Sequence, residues 1–378
     1  MKATALFKEF FNSERAGGMI LLSLSILSLF LANSSLGTGY TGFWNTQVAG
    51  HSLVHWINDG LMTIFFLLIG LELEREIYQG ELSYFKDALL PIFAAFGGIL
   101  IPAGLFLLLN HGLPTQSGAG IPMATDIAFA LGILSLLGSR VPVSLKIFLT
   151  ALAVIDDLGA ILVIAVFYTK TLLLTNLFIA IGIFLLLLVF NRLKIRNLVL
   201  YLLGGLAMWY FMLHSGVHAT LAGVLLAFAV PFGRGDEKSP SYILQHHIHK
   251  PVAFIVLPVF ALANTAIILS PDLGSVLSQP YSTGIALGLI IGKPLGIFLL
   301  TFLAVASGLC KLPAELNWKI IIGTGFLGGI GFTMSIFITL LAFDQETLIN
   351  DAKLVILISS LIAGIIGYLC LRLTLKKI

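Results

Sequence analysis

Stretches of about twenty apolar residues recur along the whole of this chain, each closed by a short polar break. A run of that length, wound as a helix, crosses the hydrocarbon layer of a bilayer. Twelve such segments are predicted, near 16–34, 54–79, 89–109, 121–138, 143–169, 172–190, 198–213, 216–231, 251–269, 283–305, 319–343 and 352–372. Composition agrees, at 58% hydrophobic and 10% charged, where a soluble domain sits near 45–50% and about 25%. The longest polar stretches, 34–53, 232–250 and 306–318, are too short to bury a core of their own. The chain therefore reads as an all-α polytopic membrane protein with twelve transmembrane helices and no soluble domain.

Lysine and arginine placement orients those spans. With both termini in the cytoplasm, Lys170 and Lys353 fall outside and Lys293 falls within the membrane. All the remaining Lys and Arg, out of 21, then fall inside. That is a strong positive-inside asymmetry. The basic residues are scattered over loops, so the net charge of +3 gives no reason to expect nucleic acid. Cys310 and Cys370 read as free thiols. The N-terminus has a basic start but no small-residue cleavage site, and reads as a retained first helix. Residues 34–53 alternate Gly with aromatics and could close a small external hairpin, which would need a partner surface.

Two spans depart from ordinary transmembrane helices. The fourth, IPMATDIAFALGILSLLG, is short, starts at Pro122 and carries Thr125 and Asp126. The eleventh carries Gly323, Gly325, Gly328, Gly329 and Gly331, and each glycine weakens a helix by about 1 kcal/mol relative to alanine. Such glycines serve close helix packing, or they mark an unwound segment whose freed backbone groups line a cavity. The fourth span is the middle of spans three to five and the eleventh is the middle of spans ten to twelve. Interruptions at matching places in two halves point to inverted repeats with a site at their interface.

Charges inside these spans carry the chemistry. Asp126, the pair Asp156 and Asp157, and Lys293 all lie in apolar sequence. A charge at the bilayer centre costs roughly 2.5–3.5 kcal/mol on insertion scales, and its usual reason to exist is an ion or proton path. Asp156 and Asp157 point about 100° apart around their helix, so they cannot face one point. Asp126 comes from another helix, and the three could converge on one site. Carboxylate oxygens suit a hard cation such as Na+, with the Thr125 hydroxyl and backbone carbonyls in support. A proton competes for the same oxygens, and that competition is the simplest chemistry for exchange. Lys293 is the counter-charge, either a static partner that holds two repeats together or a participant that cycles.

Other polar groups read more weakly. Glu72, Arg75 and Glu76 end the second span, at a cytoplasmic funnel mouth that concentrates cations or at a solvated helix end. Asp59 reads as interfacial and His218 as a packing histidine. His246, His247 and His249 lie in a predicted cytoplasmic loop, either pH-sensitive or simply solvated. No catalytic zinc spacing, phosphate-binding loop or cofactor motif is present in the sequence. An intramembrane aspartyl enzyme using Asp126 with Asp156 or Asp157 is the rival from another class. It lacks a GxGD-type motif and has no use for Lys293.

ATDIAFALGILSLLGSRVPVSLKIFLTALAVIDDLGAI, SGVHATLAGV, LPVFALAN, IGKPLGI and GIGFTMSIFI together resemble the NhaA family of bacterial sodium/proton antiporters, over about residues 10–372. The resemblance implies twelve helices, an inverted repeat and crossed discontinuous helices four and eleven. It implies one domain over 1–378, with an ion-binding core over about 89–169 and 283–372 and scaffold helices over about 10–88 and 172–269. It implies Asp157 as the direct Na+ or Li+ ligand with Asp156 beside it. Asp126 would offset helix dipole ends, Lys293 would pair with Asp156, and Thr125 would support them. Glu72, Arg75, Glu76, His246 and His249 would serve the cytoplasmic funnel and the pH response. Such proteins exchange internal Na+ or Li+ for a larger number of external protons, switch on at alkaline pH, and form homodimers in the inner membrane. Residues 38–53 fit the external hairpin at that dimer interface. Gln245 stands where the better-known pattern has an acid, so the resemblance does not carry a pH set-point over to this chain.

Overall fold

A computed structural model describes residues 5–168, 172–269 and 272–375. The placements read for Lys2, Lys170, Lys376 and Lys377 lie outside these residues. The protein is an all-α polytopic membrane protein. Among the described residues, eight helices are long and apolar enough to cross a membrane. Two further pairs pass that test together but are bent, Ala16–Ala32 with Gly37–Trp44 by 118° and Trp318–Gly328 with Phe332–Ala342 by 48°. The segments read at 198–213 and 216–231 form helices Leu198–Leu213 and Leu221–Ala229, of 16 and 9 residues. By length neither qualifies alone, since a helix rises only about 1.5 Å per residue against a layer of about 30 Å.

Several boundaries differ from the sequence expectation. The fourth span begins at Pro114, not Pro122, with Pro114–Met123 wound as a 3₁₀ helix. Its first half is polar and glycine-rich, which hides it from hydropathy. The ninth begins at Pro240 and runs to Asn264, so the histidine segment is helical, not a loop. Between residues 34 and 53 the segment Gly37–Trp44 is also helical. Only Gln47–Val48 and His51–Ser52 pair as strands. Ala49 and Gly50, at φ 50° and 88°, make the left-handed two-residue turn that matches strand twist.

The chain forms two compact units, Met1–Thr41 with Tyr84–Ala160 and Asn264–Ile378, and Gly42–Ser83 with Ile161–Ala263. In the first unit helix Phe85–Asn110 packs along Pro280–Ala306. Gly97 and Gly296 meet at that contact, and a Cβ on either would overlap the carbonyl oxygen of the other. Backbone approaches this close are how helices associate where lipid removes the hydrophobic drive between them. Helix Pro280–Ala306 widens to a π turn at Gly288–Gly292, just before Lys293 and Pro294. Proline removes one backbone donor and its ring crowds the preceding turn, and an extra residue in the turn relieves both.

Candidate cation site at two broken helices

Both expected interruptions are present in the first unit. In one, Ala124, Thr125 and Asp126 separate the 3₁₀ segment from helix Ile127–Ser135, with Ala124 and Asp126 extended. In the other, Gly329 to Gly331 separate Trp318–Gly328 from Phe332–Ala342. The eleventh span is less unwound than its glycine content suggests. Gly323, Gly325 and Gly328 lie inside the first half-helix, where they admit Leu371, Pro294 and Ile297 at close range. Close packing therefore accounts for these three, and only the last part of the run breaks the helix.

Backbone groups freed by the breaks bond across them. The Asp126 N–H donates to the Ile330 carbonyl at 2.7 Å. Asp126 Oδ1 accepts from the Phe129 N–H at 3.0 Å, which caps its own half-helix. Asp126 Oδ2 accepts from the Thr333 N–H at 3.0 Å and the Thr333 hydroxyl at 2.5 Å, at the start of the other half-helix. One carboxylate thus serves two helix N-termini, where unsatisfied N–H groups and the dipole favour negative charge. The Ser335 hydroxyl donates to the Ile121 carbonyl at 2.7 Å, and Phe332 N–H donates to Ser360 Oγ at 3.1 Å.

Carbonyl ends meet the other charges. Lys293 Nζ donates to Asp156 Oδ2 at 2.7 Å and also to the Met123 carbonyl. The Thr125 hydroxyl lies 2.7 Å from Asp156 Oδ2 and 2.9 Å from the Gly328 carbonyl. That hydroxyl has one hydrogen, so it serves two acceptors in turn or shares between them. Asp156, Asp157 and Lys293 are 1%, 0% and 0% exposed, and Asp126 is 2% exposed. Ions this deeply buried persist only when paired or bonded.

Lys293, Thr125 and Asp156 are brought together directly. Asp157 follows on the same helix, Val143–Phe167. Asp126 joins through backbone and Thr333 rather than through a shared acid cluster. The convergence of three carboxylates on one point is not formed, and among the described residues no group of three or more His, Cys, Asp or Glu could hold a metal ion. Asp126 is spent on helix ends, while Thr125, its neighbour, reaches Asp156.

In the second unit Glu72 and His249 meet, with His249 Nδ1 3.8 Å from Glu72 Oε1 and both side chains buried. Arg75 lies 3.5 Å from Glu76. His246 is exposed and stacks on Tyr242, away from that pair. Gln245 is buried. His218 Nε2 sits 2.9 Å from the Tyr168 carbonyl. Sequence reading missed Thr333, Ser335 and Ser360, and the carbonyls of Met123, Gly328 and Ile330. Thr333 and Ser335 stand in the quoted GIGFTMS motif, but carbonyl roles leave no side-chain signal.

A many-span membrane protein that buries an acid pair, a lysine and a hydroxyl between two interrupted helices belongs to the class of ion-coupled transporters. The profile of the family described as Na+/H+ antiporter 1 matches residues 8–371. Similar curated proteins include Na(+)/H(+) antiporter NhaA of Flavobacterium psychrophilum, 72% identical over 100% of this chain and 98% of that protein. Na(+)/H(+) antiporter NhaA 1 of Flavobacterium johnsoniae is 63% identical over 98% of each. Na(+)/H(+) antiporter NhaA of Cytophaga hutchinsonii is 59% identical over 100% of this chain and 97% of that protein. The chain belongs to the NhaA family of Na+/H+ antiporters.

Proposed function

We propose that this protein expels cytoplasmic Na+ or Li+ in exchange for a larger number of external protons, by alternating access across a bacterial inner membrane. The observation that carries the reading is the buried Asp156–Lys293 pair beside Asp157, at the crossing of two broken helices. Asp157 is the direct cation ligand. Asp156 takes part through its charge, exchanging the Lys293 ammonium for the arriving cation or a proton. Thr125 supports with its hydroxyl. Asp126 and Lys293 balance the helix ends. More protons than cations per cycle makes exchange electrogenic, so the membrane potential drives it.

The Glu72–His249 contact favours a pH response at the cytoplasmic mouth, with Arg75 and Glu76 on the helix of Glu72 and exposed His246 on the helix of His249. Both termini lie in the cytoplasm by the positive-inside rule. The exposed hairpin within 38–53 is the homodimer contact, since a two-stranded ribbon this small is marginal alone. Twelve spans, among which three to five and ten to twelve form an inverted repeat, complete the architecture.

Everted membrane vesicles with an acid interior and a fluorescent pH dye test this reading, from pH 6.5 to 8.5. Na+ and Li+ relieve the quench, K+ does not, and Asp157→Asn abolishes the response while still inserting and folding. Absence of any cation response from well-folded wild type, or full activity in Asp157→Asn, refutes the assignment.

A further inference from the structure

Hydroxyls buried inside helices have a default partner. A serine or threonine with nothing better to bond turns back to the carbonyl four residues earlier. Thr301, Thr324 and Thr339 do so, onto Ile297, Ile320 and Ser335 at 2.5, 2.7 and 2.8 Å. Thr150 does not. Its residue is 6% exposed and its Oγ1 has no hydrogen-bond partner. Burying a hydroxyl and leaving it unmade is costly, so the departure asks for a reason.

Position supplies one. Thr150 lies on helix Val143–Phe167, seven residues before Asp157. Seven residues are about two turns, which returns to within roughly 20° of the same face, some 10 Å along the axis. Asp156 is displaced from that face by about 100°. Lys146, one turn earlier, continues the same stripe towards Arg140 and the helix start. By the charge asymmetry, that start is the cytoplasmic end. Thr150 therefore stands midway between the cytoplasmic end of the helix and Asp157. Ala153 and Val154, fully buried and apolar, separate the two oxygens on that face.

We propose that Thr150 Oγ1 is a neutral way-station ligand for the transported cation, between the cytoplasmic entrance and Asp157. This rests on the antiport reading. A hydroxyl oxygen offers lone pairs to a hard cation without adding a charge. A neutral ligand replaces part of the hydration shell yet releases the ion readily, and passage needs both. A second carboxylate at this depth would hold the ion instead. The helical back-bond would occupy the hydrogen but is not made, which leaves the oxygen able to turn to the ion.

The test compares Thr150→Val, which keeps the shape and removes the oxygen, with Thr150→Ser, which keeps the oxygen. Exchange is measured against Na+ concentration in everted vesicles, where added Na+ meets the cytoplasmic face. Loss of one ligand raises the apparent KM for Na+ about tenfold in the valine variant. Its maximal rate stays within about twofold, and the serine variant stays near wild type in both. Melting temperature of the valine variant equals or exceeds wild type, because a buried hydroxyl without a bond is replaced by a methyl. Opposite directions of affinity and stability separate an ion ligand from a packing group. An unchanged KM in an active valine variant overturns the inference, and so does a raised KM accompanied by a lowered melting temperature. Wild type that answers to no cation refutes antiport itself, and the way-station with it.

Discussion

Replacing Lys293 by methionine isolates what the buried pair is worth. The change keeps the length of the side chain and removes the ammonium, leaving Asp156 with the Thr125 hydroxyl alone. Removing one partner of a buried pair costs about 3–5 kcal/mol. The lost bond to the Met123 carbonyl adds about 1 kcal/mol. Protonation sets a ceiling on the first figure. A carboxyl whose ordinary value is near 3.9 takes up a proton at a cost of about 1.4 kcal/mol for each pH unit above it, or roughly 4 kcal/mol at pH 7. The orphaned Asp156 escapes by that route, so the whole deficit is about 5 kcal/mol at pH 7. At about 2–4 °C for each kcal/mol, this lowers the melting temperature by more than 10 °C. The sign with pH follows. The unfolded chain is ionised at neutral pH while the folded variant binds a proton, so the variant loses stability as pH rises and regains about 2 kcal/mol between pH 7 and 5.5. Asp156→Asn combined with Lys293→Met removes both charges, and melts above the sum of the single losses. Unfolding in detergent is followed with a thiol-reactive fluorophore, for which buried Cys310 and half-buried Cys370 are built-in reporters. Equal melting temperatures for Lys293→Met and the double variant, flat between pH 5.5 and 8, would refute the reasoning.

Two further outcomes test the crossing and the helix contact. Asp126→Ala removes the acceptor for three donors on two half-helices and lowers stability by about 2–4 kcal/mol, while Asp126→Asn, which keeps an acceptor oxygen, loses less; thermal melts of the two variants rank them. Gly296→Val drives a side chain into the Gly97 carbonyl and costs about 1–3 kcal/mol or more, read as lower yield and melting temperature, and an unperturbed variant would mean the two helices part without penalty.

Apolar length and charge placement carried most of what was legible in the sequence. The spans around 54–79, 89–109 and 143–169 announce themselves because lipid demands about twenty apolar residues, and the demand is written in side chains. Lys293, Asp126, Asp156 and Asp157 announce themselves because charge in lipid is expensive. The first half of the broken fourth span was illegible for the same reason in reverse. Pro114, Gln116 and Ser117 are exposed and only Gly118 and Gly120 of Pro114 to Gly120 are buried, so the stretch carries no apolar run and reads as a loop. The helix over 240–250 was lost because its histidines and Lys250 look like solvated turn residues, whereas Gln245 and His249 are buried. Glycine content misled at 323–328, since a glycine that admits a neighbour and a glycine that breaks a helix are the same letter.

The bonds at the crossing divide by sign, and that division ties the fold to the ion site. Two half-helices begin there, and both beginnings are satisfied by one anion, Asp126. Two segments end there, and their last carbonyls, Met123 and Gly328, are satisfied by Lys293 and by the Thr125 hydroxyl. Both of those donors also reach the same oxygen of Asp156. A change of charge on Asp156 therefore cannot stay local. If, as proposed, a proton or a cation neutralises that carboxylate, the attraction holding Lys293 towards it would weaken, and Thr125 would be left with Gly328 as its better acceptor. Both shifts fall on the two carbonyls that end the broken segments. Asp126 lies on the other side of the division, bonded to backbone N–H groups and Thr333, and keeps the helix starts joined while the ends are redistributed. On the proposed antiport reading, a joint fixed by Asp126 beside a joint that depends on the charge of Asp156 is how occupancy of that carboxylate would bias one arrangement over another.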